Sequence, residues 1–206
     1  MPVPKRPYHS YTLPVLTTTE HLLPLTKQQI SGSGALFSQM ILEATRAGGI
    51  WIVMQDSNGE VADKAGDIVT FASIDCVDWL SGDQVQVSLD LPQWGAVDAE
   101  QDKTPGRYLS ASLFPLWHCS HKLSTADRLV VQLRQWQKEY AHQGPANDPG
   151  RTDYEDPCWL CWRWLEVLPL PVHTKQRLLK QPGPNSSLRY LKKMIRQSDL
   201  YAELLR

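Results

Sequence analysis

The sequence has few of the features that mark membrane, secreted or nucleotide-hydrolysing proteins. Its 206 residues include only four cysteines and three phenylalanines. No apolar run approaches the roughly 18 residues that a membrane-spanning helix needs. No apolar stretch follows Lys5 and Arg6, so no signal peptide is predicted. These absences favour a cytoplasmic protein whose cysteines stay reduced.

Motifs for catalysis are also missing. The chain has no Gly-x-x-x-x-Gly-Lys-Ser/Thr loop that could cradle a nucleotide phosphate. Asp75, Asp78 and Asp83 flank a predicted turn, where they are more typical of solubilising charges than of a paired acid and base. We therefore expect a protein that is not an enzyme and that needs no cofactor.

The formal net charge is only −1, but acidic and basic residues are unevenly distributed along the chain. Acidic residues greatly outnumber basic ones between positions 56 and 103, whereas basic residues dominate from position 171 onward. Solvated faces often have such runs, but the separation also suggests surfaces that meet different partners.

The first half of the chain has the patterning of a β domain with one helix. Apolar spacing predicts a helix over 35–46, and Gly48-Gly49 ends it. A buried strand is predicted at 50–54, a long bulged strand at 66–79 and an alternating strand from Val85 to Leu89. Residues 93–106 are predicted to be a polar loop, and 107–117 a pair of strands.

The second half is predicted to be helical. Ser124 is the expected cap of a helix with an apolar stripe from Leu129 to Tyr140. Asp156 and Pro157 then begin a helix that Pro169 stops, and Pro171 begins the next. A last helix is predicted from about Ser187 to Leu205.

Two ordered blocks of residues resemble the Lon protease N-terminal domain, also called the Lon substrate-binding domain. The helical block is Trp159-Leu160, Leu165-Glu166-Val167-Leu168-Pro169-Leu170-Pro171, Lys175-Gln176-Arg177-Leu178-Leu179, and Leu188, Leu191 and Ile195. The β block is Gly66-Asp67-Ile68, Ile74 and Leu80-Ser81-Gly82-Asp83-Gln84-Val85-Gln86-Val87. The chain departs from the family at 31–37 and 90–95, both in the β half.

The resemblance implies an α+β fold, with a PUA-like mixed β pseudo-barrel followed by a C-terminal α-helical bundle. We expect two domains, the β domain at residues 10–118 and the helical bundle at residues 119–206. The resemblance also implies a stand-alone, non-catalytic protein that recognises unfolded or partner polypeptides and lacks the ATPase and protease modules of Lon. A protease or a chaperone is among the candidate partners, and no membrane is expected.

Three aromatic residues are the candidate peptide-binding set: Trp94, Phe114 and Trp117. Trp94 lies in the predicted loop beside Pro92 and Gly95, where no core stripe explains it, and an exposed aromatic side chain there would suit peptide capture. The same three residues also fit a purely structural role, packing the junction between the halves.

Two other functions stay open. Cys158 and Cys161 have a metal-ligand spacing, and with Cys119 and His121, beside His118, they could supply the four donors of a zinc site, although buried structural cysteines explain the pair more simply. RNA binding is the other alternative, because some PUA-like domains bind RNA. The phosphate contacts would come from Arg189, Lys192, Lys193 and Arg196. The acidic β half makes nucleic acid the less favoured partner.

Overall fold

The structure is a computed structural model that describes residues 9–99, 108–140 and 153–204. In chain order its elements are β1 (Ser10–Thr18), β2 (Thr26–Ser33), α1 (Ala35–Ala47), β3 (Ile50–Met54), β4 (Ile68–Trp79), β5 (Gln84–Val97), β6 (Tyr108–Phe114), α2 (Arg128–Tyr140), α3 (Pro157–Val167), α4 (Val172–Leu179) and α5 (Asn185–Leu204).

Five of the strands close into a barrel. Their order is β5-β4-β3-β1-β6, and β6 closes the circle by pairing with both β1 and β5. β1 and β3 are parallel, while the other pairs are antiparallel. β2 pairs with the first half of β5 and has no partner on its other edge within the described residues. The predicted α+β class, a mixed β barrel with a helical C-terminal half, is confirmed.

Strand β3 is buried on both faces, as its continuous apolar sequence predicts. Trp51 and Val53 point into the main core, which the barrel shares with the C-terminal helices. Ile50 and Ile52 point the other way, into a second core beneath α1. Successive side chains of a strand face opposite sides, so one short strand serves both cores.

Strand β5 also contributes to both cores, and it corrects the sequence prediction. Its first half places Val85, Val87 and Leu89 in the core beneath α1. Its pairing with β4 then shifts register twice, and Trp94 faces the main core. The predicted loop over 93–106 is therefore wrong as far as Val97, because the irregular pairing hides the strand's alternation. The predicted strand pair at 107–117 is the single strand β6.

The Gly/Ser stretch at 31–34 continues β2 as far as Ser33. A Cβ atom at Gly32 would lie 2.6 Å from the ring of Phe37. Glycine at this position therefore lets the first turn of α1 pack directly on the strand.

The helix caps follow local hydrogen bonding. Asp156 accepts a hydrogen bond from the backbone N–H of Cys158 at 2.9 Å, and this confirms the predicted start of α3. The predicted cap at Ser124 is wrong. The cap of α2 is Asp127, whose carboxylate accepts from the N–H of Leu129 at 3.0 Å, whereas Ser124 stabilises the preceding turn.

The helical half packs onto the barrel without a separate core of its own. Residues Pro157 to Leu165 of α3 are all buried, and their apolar side chains belong to the same core as Leu13, Val69 and Ala111 of the barrel. The division between 10–118 and 119–206 remains a prediction.

Replacing Gly95 with alanine should destabilise the barrel. A Cβ atom there would lie 2.8 Å from the Trp51 ring and 3.1 Å from the Ser112 carbonyl oxygen. We expect a loss of about 1–3 kcal/mol of unfolding free energy in urea titrations, which is typical of overpacking. Gly183→Ala is the matched control, because nothing lies within 4 Å of its added Cβ atom. Equal stability of the two variants would contradict this account of the barrel packing.

Candidate functional site

The three aromatic residues predicted to bind peptide lie together in one cluster. The ring centroids of Trp94 and Phe114 are 5.2 Å apart and stacked, and Trp117 meets Trp94 edge-on at 5.3 Å. Trp162 of α3 completes the cluster, at 5.4 Å from Trp94 and 5.8 Å from Trp117. The cluster therefore occupies the junction between barrel and helices.

Burial changes the interpretation of this cluster. Trp94 is 0% exposed and its indole N–H donates to the carbonyl of Pro115 at 3.3 Å. Trp117 is also buried and donates to the carbonyl of Gln181 at 2.8 Å, while Phe114 is half-buried. The expected exposure of Trp94 is wrong, since the residue lies within β5. A role of the three residues in peptide binding remains a prediction.

The predicted metal donors do not converge. Cys119 Sγ lies 2.9 Å from Nδ1 of His121, close to the protein surface. Cys158 and Cys161 are buried in α3, and the Cys161 thiol faces the carbonyl of Pro184 at 3.8 Å. Among the residues that the structure describes, no group of three His, Cys, Asp or Glu side chains could hold a metal ion.

A buried ion pair joins α3 to the segment between β1 and β2. Arg163 lies 3.1 Å from the Glu166 carboxylate and donates to the carbonyls of Leu23 and Pro24 at 3.0 and 2.7 Å. Glu166 in turn accepts from the N–H of Leu23 at 2.6 Å. We call Arg163, Glu166 and the Leu23–Pro24 backbone the polar clasp. The next residue, Leu25, has a φ of 62°, a strained conformation that such surroundings can hold.

Burial perturbs the titration of the clasp. It raises the pKa of Glu166 from 4.5 to about 7, although Arg163, the Leu23 N–H and Lys175 partly offset the effect. Burial also lowers the pKa of Lys175 from 10.5 to about 8, with partial compensation by Glu166. Folding therefore takes up a proton at Glu166 between about pH 4.5 and 7, and the stability that Glu166 contributes falls as the pH rises through this window.

Helix α4 is fixed to the barrel by Gln176, whose side-chain amide bonds to both backbone groups of one β4 residue, as a residue of a neighbouring strand would. Its amide oxygen accepts from the N–H of Ile68 at 2.7 Å, and its amide nitrogen donates to the Ile68 carbonyl at 2.9 Å. Lys180 adds an ion pair with Asp67 at 2.7 Å. A cavity of about 400 Å³ opens beside these contacts. Its lining has both signs of charge, including Glu60, Lys64, Asp67, Arg177 and Lys180.

An apolar groove of about 330 Å³ lies on the helical half, and we call it the α2–α3–α5 groove. Its apolar lining comes from three helices and from the residue that follows α3. Trp164 forms the floor, because its ring is buried and its indole N–H is fixed on the Leu129 carbonyl at 3.1 Å. The remaining lining residues are Trp136, Leu168, Met194 and Ile195, with Gln132, Gln135 and Glu139 along one side.

The lining of this groove is mainly apolar and partly exposed. Trp136, Leu168 and Met194 are each half-buried, so part of their apolar surface faces the opening. No histidine or cysteine lines the groove, and Glu139 is its single carboxylate. Such a surface can take up apolar side chains, with the glutamine amides available to a bound backbone.

A second apolar surface lies at the β4–β5 turn. Trp79 and Leu80 are about half exposed, and Leu36 at the start of α1 is 86% exposed. The Gly34 N–H bonds to the Asp83 carbonyl at 3.3 Å, which brings the start of α1 to this turn. Neither the cavity beside Gln176 nor the α2–α3–α5 groove includes residues of this surface.

The groove and the clasp escaped the sequence analysis for different reasons. Trp136 and Trp164 fit a buried stripe equally well, and only the arrangement of three helices shows that Met194 and Leu168 join them. The sequence does contain a signal for the polar clasp. An arginine at position 163, within the apolar run from Trp159 to Leu165, requires buried partners.

The architecture defines the class of protein that this chain resembles. A closed five-stranded barrel carrying a helix, followed by a bundle that shares its core, is the fold of Lon N-terminal domains. The structure matches a Lon N-terminal domain protein from Xanthomonas campestris with a TM-score of 0.62 and 16% sequence identity, over 88% of this chain and 97% of that one. It matches the N-terminal domain of a Mycobacterium avium complex Lon protease with a TM-score of 0.53 and 18% identity, over 87% and 95%.

The fold of this chain is similar to that of Lon N-terminal domains. The resemblance noted in the sequence is thus confirmed at the level of three-dimensional structure. No protein-family model matches the sequence, and no curated protein matches it. Within the described residues, no helix combines the length and apolarity required to cross a membrane.

Replacing Arg163 with methionine should destabilise the protein, and more so at higher pH. The change removes the partner of Glu166 and the donors to two buried carbonyls. We expect a loss of about 3–5 kcal/mol near pH 8, where Glu166 is ionised, and a smaller loss near pH 5, where it is largely protonated.

Urea unfolding at the two pH values measures both effects. Arg196→Met, on the exposed side of α5, is the matched control and should change stability little. A cost of Arg163→Met that is independent of pH would mean that Glu166 does not titrate in this range.

Proposed function

We propose that this chain binds apolar segments of other polypeptides in the α2–α3–α5 groove and releases them chemically unchanged. One observation carries the proposal: an open groove of about 330 Å³, lined by partly exposed tryptophan, leucine and methionine side chains, lies on the helical half. The likeness of the fold to the N-terminal domain of a Lon protease supports a role in polypeptide recognition.

The lining chemistry favours a varied set of apolar ligands over one defined sequence. Met194 is unbranched and can adapt to different side chains, while Trp136 offers part of a large flat surface above the buried Trp164 ring. The volume is at the lower end of the range for ligand pockets, so a few apolar side chains fit, rather than a whole folded partner. Unfolded polypeptides expose such side chains in a way that native proteins do not.

The finer parts of the proposal rest on the resemblance in sequence. We propose that this recognition requires neither ATPase nor protease activity, and that it takes place in the cytoplasm with unfolded clients and a protease or chaperone as partners. The four free cysteines agree with a reducing compartment. We keep residues 10–118 and 119–206 as the proposed barrel and bundle domains.

Trp94, Phe114 and Trp117 have a supporting part in this proposal. Their cluster packs against Trp162, and this contact fixes the orientation of α3, which carries Trp164 to the groove. Phe114 is the most accessible of the three residues, and Phe114→Ala therefore tests whether the predicted set contacts peptide directly.

RNA binding is the competing function, and the helical half carries the residues for it. Arg189, Lys193 and Arg196 are exposed on α5, spaced along one side of the helix. Lys192 is engaged in an ion pair with Asp127 at 2.7 Å. An amphipathic helix normally presents such a basic side to water, so the groove is the stronger indication.

Replacing Met194 with lysine should weaken polypeptide binding by about tenfold or more. A charge inside the apolar groove costs at least about 1.4 kcal/mol of binding free energy, and that amount corresponds to a factor of ten in affinity. The probe is a reduced and alkylated, permanently unfolded polypeptide with a fluorescent label. Binding is measured by fluorescence anisotropy at low and moderate salt.

Leu42→Lys is the matched control, since Leu42 is an exposed leucine on α1 in the other half. It should bind like the unaltered chain, as should Phe114→Ala. Equal weakening by Met194→Lys and Leu42→Lys would overturn the assignment of the groove. Weakening by Phe114→Ala alone would move the site to the predicted aromatic set. Binding of a labelled RNA that disappears at moderate salt, without polypeptide binding, would favour the competing function.

A further inference from the structure

The cavity beside Gln176 is built from both halves of the molecule. The segment between β3 and β4 contributes Glu60, Val61, Lys64 and Asp67, and α4 with the two residues after it contributes the rest of the lining. The volume of about 400 Å³ lies within the range of small-molecule sites. A ligand bound there would therefore contact the barrel half and the helical half together.

The two carboxylates of this cavity already have partners in the lining. Asp67 accepts from the Lys180 ammonium group at 2.7 Å through one oxygen, and from the backbone N–H of Lys64 at 3.0 Å through the other. Glu60 lies 3.6 Å from Nδ1 of His173. Both carboxylates are therefore engaged by the protein itself.

The basic side chains of the cavity are not all matched in this way. Among the residues that the structure describes, neither the Lys64 ammonium group nor the Arg177 guanidinium group has a hydrogen bond or an ion pair. Both residues are exposed, and with Lys180 they give the lining three cationic groups against two carboxylates. An arginine guanidinium can bind a phosphate or a carboxylate through two parallel hydrogen bonds. The unmatched charge of the cavity therefore favours an anionic ligand.

We propose that this cavity binds a small organic anion, a polar molecule with one phosphate or carboxylate group. Lys64 and Arg177 bind the anionic group, and Glu60 accepts hydrogen bonds from hydroxyl groups on the remainder of the ligand. The carboxylates of Glu60 and Asp67 repel a second anionic group, which selects against polyanions. None of these residues lines the α2–α3–α5 groove, so anion binding and polypeptide binding can be tested separately.

The test compares three probes of similar size, with the whole chain in a phosphate-free buffer of low salt. Glucose 6-phosphate carries a phosphate, gluconate carries a carboxylate, and glucose carries neither. Binding is measured by isothermal titration calorimetry, and we expect at least one of the two anions to bind with a Kd of about 1 mM or lower, whereas glucose should not bind. At about a hundred times the Kd, the bound anion should raise the midpoint of thermal unfolding by about 5 °C or more, relative to sodium chloride of equal ionic strength.

Three variants locate the site. Arg177→Gln should weaken binding of the anion by about tenfold or more, because it removes charge-assisted hydrogen bonds, and Lys64→Gln should weaken it as well. Arg46→Gln is the matched control and should bind like the unaltered chain, since Arg46 is an exposed arginine in the last turn of α1, outside the cavity. The probe that binds identifies the anionic group as phosphate, carboxylate or either. Failure of both anions to bind, equal binding of glucose, or equal weakening by Arg177→Gln and Arg46→Gln would overturn the proposal.

Discussion

The contact between Trp94 and Trp162 is the packing interaction on which the rest of the structure depends. Trp94 lies on the face of β5 that packs against α3, and Trp162 is the residue of α3 that meets it. The main core contains residues of both halves, so each half supplies apolar surface that the other buries. Paired aromatic rings contribute about 0.5–1.5 kcal/mol beyond the area they bury, and Trp117 and Phe114 extend the pairing.

The polar clasp adds directional hydrogen bonds to the packing of α3 on the barrel half. Apolar surfaces have little preference for one orientation, whereas Arg163 and Glu166 recognise three backbone groups of Leu23 and Pro24. Burying both charges costs much of what their attraction returns, so the net gain in stability is small. The bonds to these backbone groups favour one orientation of α3 on the segment between β1 and β2.

Sequence patterns predicted the elements whose signals are local. Asp156 with Pro157 marks the start of α3, the apolar run of β3 is buried on both faces, and the bulge in β4 follows from its change of alternation. The prediction failed at Trp94, because the register shift with β4 reverses which residues face inward. The groove depends on three helices that are distant in sequence, and no local pattern encodes their crossing.

The open edge of β2 bears on self-association. A closed barrel has no free edge, so β2 is the described strand whose outer hydrogen-bonding groups lack a strand partner. Its exposed positions carry Lys27, Gln29, Ser31 and Ser33, and Lys27 is engaged with Asp75 at 2.9 Å. Polar and charged side chains on an edge strand discourage edge-to-edge pairing with a strand of another chain. The groove and the sheet edge therefore differ in character: the groove exposes apolar side chains, whereas the edge carries polar and charged side chains that oppose growth of the sheet into fibrous aggregates.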